Sequence, residues 1–156
     1  MRNGSLLWGA VAVLLIALLA VMQFRYDSAE LHEGVTRLTT LPCDLAREQC
    51  SASLGGEFAL SVSITPQPIA VLTPLQVEIT YRGQTVTSAI IEFTGVDMAM
   101  GVNRFPLQPA SGEGRLLGKA MLPVCVEDEM PWRAQLRLET TTGPLLATFN
   151  FRSIKP

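Results

Sequence analysis

Sulfur is the one side-chain chemistry that this sequence concentrates. Met98 and Met100 stand two apart in Asp97-Met98-Ala99-Met100-Gly101, and Met121, Cys125 and Met130 follow downstream. On a strand, residues i and i+2 point to the same face, so the two thioethers would converge on one soft ion. Thioether and thiolate donors select Cu(I), whereas Zn(II) would ask for histidines or more thiols. Met98, Met100 and Cys125 are therefore the candidate ligands, with Met121 or Met130 as a fourth and Cu(I) as the candidate cofactor. The same methionines would also serve as adaptable packing in a core.

Sulfur offers a crosslink too. Cys43 and Cys50 flank DLAREQ, with Cys125 far along the chain, and in an oxidising compartment a disulfide is the default. On a continuous helix, residues seven apart would stand about 10 Å apart, beyond the ~7 Å reach of a disulfide. A Cys43–Cys50 bond thus requires a turn or compact loop, which Pro42 before it and Gly55-Gly56 after it favour. A link from either cysteine to Cys125, or free thiols, are the alternatives.

The acidic triplet Glu127-Asp128-Glu129 precedes Met130-Pro131-Trp132. It reads as a solvated hairpin loop with Pro131 stiffening the entry to the next strand. Together with Trp132 it is the candidate partner-binding patch. The single histidine, His32, reads as a surface residue. There is no G-x-S-x-G, H-E-x-x-H, C-x-x-C or phosphate-cradling glycine loop, and no Ser/Asp set that one histidine could serve, so the chain is not expected to be an enzyme. With 12 basic against 14 acidic residues and a net charge of −2 in 156 residues, it lacks the basic footprint that nucleic acid requires.

The elements that must position these residues begin with Leu6 to Met22, LLWGAVAVLLIALLAVM, which carries no charge. As a helix it would cover roughly 26 Å, and Gln23 and Phe24 bring it near the ~30 Å hydrocarbon core. No A-x-A cleavage pattern follows. The expectation is an uncleaved transmembrane anchor over 1–24, inserted in the membrane through residues 6–24, with the rest of the chain exported. Residues 25–56 read as a juxtamembrane linker holding the Cys43/Cys50 loop, and 57–156 as the exported domain. From Glu57 the hydrophobic period becomes two. Phe58, Leu60, Val62 and Ile64 alternate with small polar residues, and Trp132, Ala134, Leu136 and Leu138 alternate with Arg133, Gln135, Arg137 and Glu139. Strands are also expected at 75–81, 87–93, 102–107, 115–122 and 145–151. About seven short strands without helical crossovers predict an all-β, immunoglobulin-like antiparallel β-sandwich.

The string from Gly95 to Leu138 resembles the small membrane-anchored domains called FixH-like and YtkA-like. Met98, Met100 and Gly101 match a Met-x-Met-Gly strand, Gly112 and Gly114 a glycine-rich hairpin turn, and Trp132 a Trp-containing strand. The resemblance implies an immunoglobulin-like fold and a role in copper handling or respiratory oxidase assembly. The reading that results is a single-pass protein of the bacterial inner membrane, its C-terminal domain in the periplasm beside a membrane or periplasmic protein partner. Two rivals stand beside it: a metal-free sandwich that docks on a membrane complex, and a thiol-redox accessory working through Cys43 and Cys50.

Overall fold

The computed structural model describes residues 13–19, 34–124 and 126–155, and the chain divides into two compact units, Met1–Gly34 and Val35–Pro156. In the first unit the described residues form a helical stretch, 13–19, with its side chains exposed. Among the described residues no helix is long and apolar enough to cross a membrane. The anchor expected over 1–24 and the single-pass inner-membrane placement built on it are corrected accordingly. The rest of that segment, and His32, lie outside the described residues.

The second unit is all-β. Its strands are β1 (Thr36–Arg37), β2 (Thr39–Thr40), β3 (Cys50–Leu54), β4 (Phe58–Thr65), β5 (Leu75–Arg82), β6 (Val86–Gly95), β7 (Asn103–Pro109), β8 (Arg115–Ala120), β9 (Glu129–Thr140) and β10 (Gly143–Ile154). Strands β4 to β10 occupy the segments where the sequence alternates. Residues 36–54, assigned to a linker by sequence, supply three more.

The immunoglobulin-like sandwich of about seven strands is corrected by the connectivity. All ten strands join in one sheet, ordered β1-β10-β9-β6-β7-β8-β5-β4-β3-β2, which curls into a nearly closed barrel. Two chain crossings make the corners. Strand β7 pairs with β6 from Asn103 to Leu107 and then with β8 at Gln108 and Pro109. At the other corner β1 lies parallel on β10, Leu38 intervenes, and β2 pairs antiparallel with β3. Gly118 makes room at the β7 corner: a Cβ there would collide with the Leu107 side chain and stand 3.0 Å from the Pro106 carbonyl. Edges are thereby covered rather than exposed.

The core follows from the period of two, which sends alternate side chains inward. On β9 Met130, Trp132, Ala134, Leu136 and Leu138 are buried, and on β10 Leu145, Ala147, Phe149 and Phe151. Ser153 continues that inward phase and is the one buried polar residue among those described. It is satisfied because Trp132 Nε1 donates to Ser153 Oγ at 2.9 Å. Phe93 packs edge-on against Phe151, with ring centres 5.7 Å apart, a favoured aromatic geometry.

Cys43 and Cys50 form a disulfide with Cα atoms 5.8 Å apart. Cys50 opens β3, while Asp44, next to Cys43, bridges to Asn150 of β10. The bond therefore staples the seam at which the two margins of the sheet meet.

Candidate functional site

Antiparallel pairing sorts the connections into two ends of the barrel. At one end lie the tight turns 55–57, 83–85, 110–114 and 141–142, built from Gly, Thr and Ser with Gln84, Ala110 and the acids Glu57 and Glu113. At the other lie 66–74, 96–102 and 121–128, together with the 43–49 loop and the end of β10. These connections are longer, and their composition is different.

Three hydrogen bonds bind the long-loop end into one surface. Ile154 N donates to the Ile69 carbonyl at 3.0 Å, Val71 N to the Ile154 carbonyl at 3.1 Å, and Leu72 N to the Leu122 carbonyl at 3.0 Å. The 96–102 loop leaves β6 where Val96 N donates to the Pro131 carbonyl at 3.0 Å. Pro131 has no N–H to return, so the ladder stops there and the chain peels away.

The loop then folds back over Gly95. A Cβ at Gly95 would collide with the Met130 methyl and stand 2.5 Å from the Met98 carbonyl and 3.3 Å from Met100 Cγ. The side chains of Met100 and Met130 thus both reach this glycine, and Met100 N donates to the Met98 carbonyl at 2.9 Å. Met130 is buried, and Met98 and Met100 are partly buried against the core. Met121 lies just past β8 with its side chain exposed. Cys125 lies outside the described residues. Of the five sulfur residues proposed as ligands, Met100 and Met130 both have side-chain atoms beside Gly95, where Met98 contributes its backbone carbonyl. Among the described residues no three His, Cys, Asp or Glu side chains gather as a metal site.

The acidic triplet is largely occupied within the chain. Lys155 Nζ bonds Asp128 Oδ1 at 3.0 Å and the Val126 carbonyl at 2.7 Å, and Lys155 N donates to the Asp128 carbonyl. Glu129 faces Arg152 at 3.8 Å. Glu127 is exposed and makes no ion pair among the described residues. Trp132, grouped with the triplet as a partner contact, is fully buried and holds Ser153, so no partner reaches it. Its parity carried that information, since Trp132 is in phase with Ala134, Leu136 and Leu138.

Sequence reasoning singled out Met121, as a possible ligand, but not the exposed aliphatics around it. In the β unit the large apolar side chains left exposed among the described residues are Leu41, Leu72, Ile90, Val96, Val102, Met121, Val124 and Val126. All but Leu41 and Ile90 stand on the three loops of one end. Those loops hold Asp97, Glu127 and Asp128 and no Lys or Arg. A groove of about 410 Å³ adjoins them, with Val96 and Pro131 beside Arg133, Arg152 and Asp44. A larger concavity, about 570 Å³, lies along β3, β4 and β5 among Ser51, Ser53, Ser61, Thr80, Tyr81 and Arg82, and its lining holds no carboxylate or histidine.

No family model matches the chain, and no curated protein matches it; the FixH-like and YtkA-like resemblance is not confirmed. Among solved structures the chain is similar to a DUF4426 family protein from Pseudomonas aeruginosa PAO1. The two are 15% identical, the match covers 67% of this chain and 93% of that one, and the TM-score is 0.43.

Proposed function

We propose that the β unit is a non-catalytic binding domain that works through its long-loop end. One observation carries this reading: Leu72, Val96, Val102, Met121, Val124 and Val126 are exposed on three neighbouring loops, while the opposite end is polar. Leaving a group of aliphatic side chains in water costs roughly 25 cal/mol for each Å², and such patches mark interaction surfaces. The Cys43–Cys50 disulfide suits a domain that works where thiols stay oxidised. Photo-crosslinkers placed singly at Val102, Val126, Glu113 and Thr141 of the full chain in its native host test the reading. Discrete adducts are expected from the first two positions only. Equal adducts from both ends would refute it.

A second reading is capture of Cu(I) by thioethers, favoured by the approach of both Met100 and Met130 to Gly95. Met98 and Cys125 would complete the donor set. A place in copper handling would rest on that metal. Anaerobic Cu(I) titration against a competing chelator decides: stoichiometric binding lost in a Met98→Leu/Met100→Leu variant supports the metal, and absence of binding leaves the docking surface.

A further inference from the structure

We propose that the groove on the outer face of β9 and β10 binds a small organic oxyanion, a carboxylate or phosphate carried on an aliphatic body. The groove would work whether or not the neighbouring loops dock a partner. It holds about 410 Å³, within the roughly 300–1,000 Å³ of small-molecule sites. Such sites combine an apolar lining with a few placed polar groups, and both are present. Val96, Pro131 and Cys43 supply the apolar part, and Arg133, Asn150 and Arg152 the hydrogen-bond donors.

The period of two puts these donors side by side. Asn150 stands opposite Arg133 on the β9–β10 ladder, and Arg152 stands opposite Pro131, two residues along. All three are out of phase with the buried Trp132 and Phe151, so they share the outward face. Arg133 and Arg152 are diagonal neighbours there, a spacing of about 7–8 Å that long side chains bridge.

The acids close by leave the donors available. Asp44 is the one carboxylate in the lining. Its Oδ1 accepts from Ala46 N at 3.0 Å and its Oδ2 faces Arg47 at 3.4 Å. Glu129 comes within 3.8 Å of Arg152 with both side chains well exposed, a solvated pair of little worth. Arg133 has no ion pair among the described residues. Asp97 follows Val96 in the chain but does not line the groove. Guanidinium forks match carboxylate and phosphate oxygens in bidentate fashion. A bare anion would leave Val96 in water, and an uncharged hydrocarbon would leave two like charges adjacent on one face. One molecule that carries both parts answers both.

The test titrates the 15N-labelled full chain with octanoate, octyl phosphate, octanol, octylammonium and acetate, and reads the backbone amides by NMR. Saturable shifts are expected at Arg133, Asn150 and Arg152. The two octyl anions should bind about tenfold or more tightly than octanol, which lacks the charge, and than acetate, which lacks the body. Octylammonium should be weakest, and the tighter anion identifies the headgroup. Arg133→Gln/Arg152→Gln should bring octanoate down to octanol. Arg133→Glu/Arg152→Glu should make octylammonium the tightest ligand, a gain that misfolding cannot produce. Val96→Ser should weaken octanoate and octanol alike.

Octanol as tight as both anions, or a preference for anions that the glutamine variant keeps, overturns the proposal. Shifts confined to the 66–74 and 121–128 loops would place the hydrocarbon on the loop end and overturn it too. So would the absence of saturable shifts from every probe.

Discussion

Replacing Gly95 with alanine tests the close approach of the 96–102 loop to β6. The added methyl group would meet the Met130 methyl, which terminates a flexible side chain, and the Met98 carbonyl oxygen 2.5 Å away, which is backbone. The methionine can swing aside; the carbonyl moves only if the 96–102 loop moves. Overpacking a well-filled site costs about 1–3 kcal/mol, and alanine in a strand recovers roughly 0.5–1 kcal/mol of backbone entropy relative to glycine. A net loss of about 1–2 kcal/mol is expected. In a domain of this size that is a fall in Tm of very roughly 3–10 °C. Urea titration followed by the near-ultraviolet signal of the buried Trp132 measures it. Adding Met130→Ala to Gly95→Ala separates the two obstacles. If the carbonyl dominates, the two losses add; if the methyl dominates, the double variant is more stable than additivity allows. A Gly95→Ala chain as stable as the parent would refute the packing of the 96–102 loop over β6.

Ser153→Ala leaves the Trp132 indole N–H buried without an acceptor and should cost about 1–3 kcal/mol; a denaturant midpoint within error of the parent would contradict the 2.9 Å bond. Reducing the disulfide releases an eight-residue loop that spans Cys43 to Cys50 and should cost roughly 2.5 kcal/mol by the chain-entropy model, read as a lower midpoint in reductant. Glu78 accepts from Arg115 Nε at 2.7 Å, and this bond holds its carboxyl below the ordinary glutamate value. A carboxyl depressed by folding adds stability above its unfolded pKa and loses it as the pH falls through the folded one. The acid limb of a stability–pH profile should therefore flatten in Glu78→Gln, and an unchanged limb would contradict the pairing.

How much of this was legible in the sequence depends on whether a feature is local. The long strands announced themselves: Phe58 to Ile64 and Trp132 to Leu138 alternate without a break, because one face of each is core and the other is solvent. Ser153 kept the parity of Phe149 and Phe151; Met130 lies opposite it on the β9–β10 ladder, and its hydrogen-bond partner is the buried tryptophan diagonally across. Strands β1 and β2 have two residues each, too few to show any period. Cys50-Ser51-Ala52-Ser53 alternates only between small residues. Barrel closure was not legible, because pairing Thr36 with Leu145 is a fact about distant chain segments. The membrane span was inferred from an uncharged run of seventeen residues, of which the described part, 13–19, forms no helix long enough to cross a membrane. At the candidate site, Met98 and Met100 were visible as a motif. The valines beside them were not, since apolar residues in loops carry no period and their exposure is decided by the fold.

The seam also decides how tension would pass through this domain. Strand β1 runs parallel to β10, with Thr36 against Leu145 and Arg37 against Leu146, and Leu38 N donates to the Leu146 carbonyl at 2.8 Å. A pull applied at Val35 and at Lys155 drags these neighbours in opposite directions along their own axes. Their hydrogen bonds then yield together rather than one at a time, as they would if peeled. Behind them the Cys43–Cys50 crosslink stops that segment from paying out, so the geometry makes the seam a shear-loaded latch.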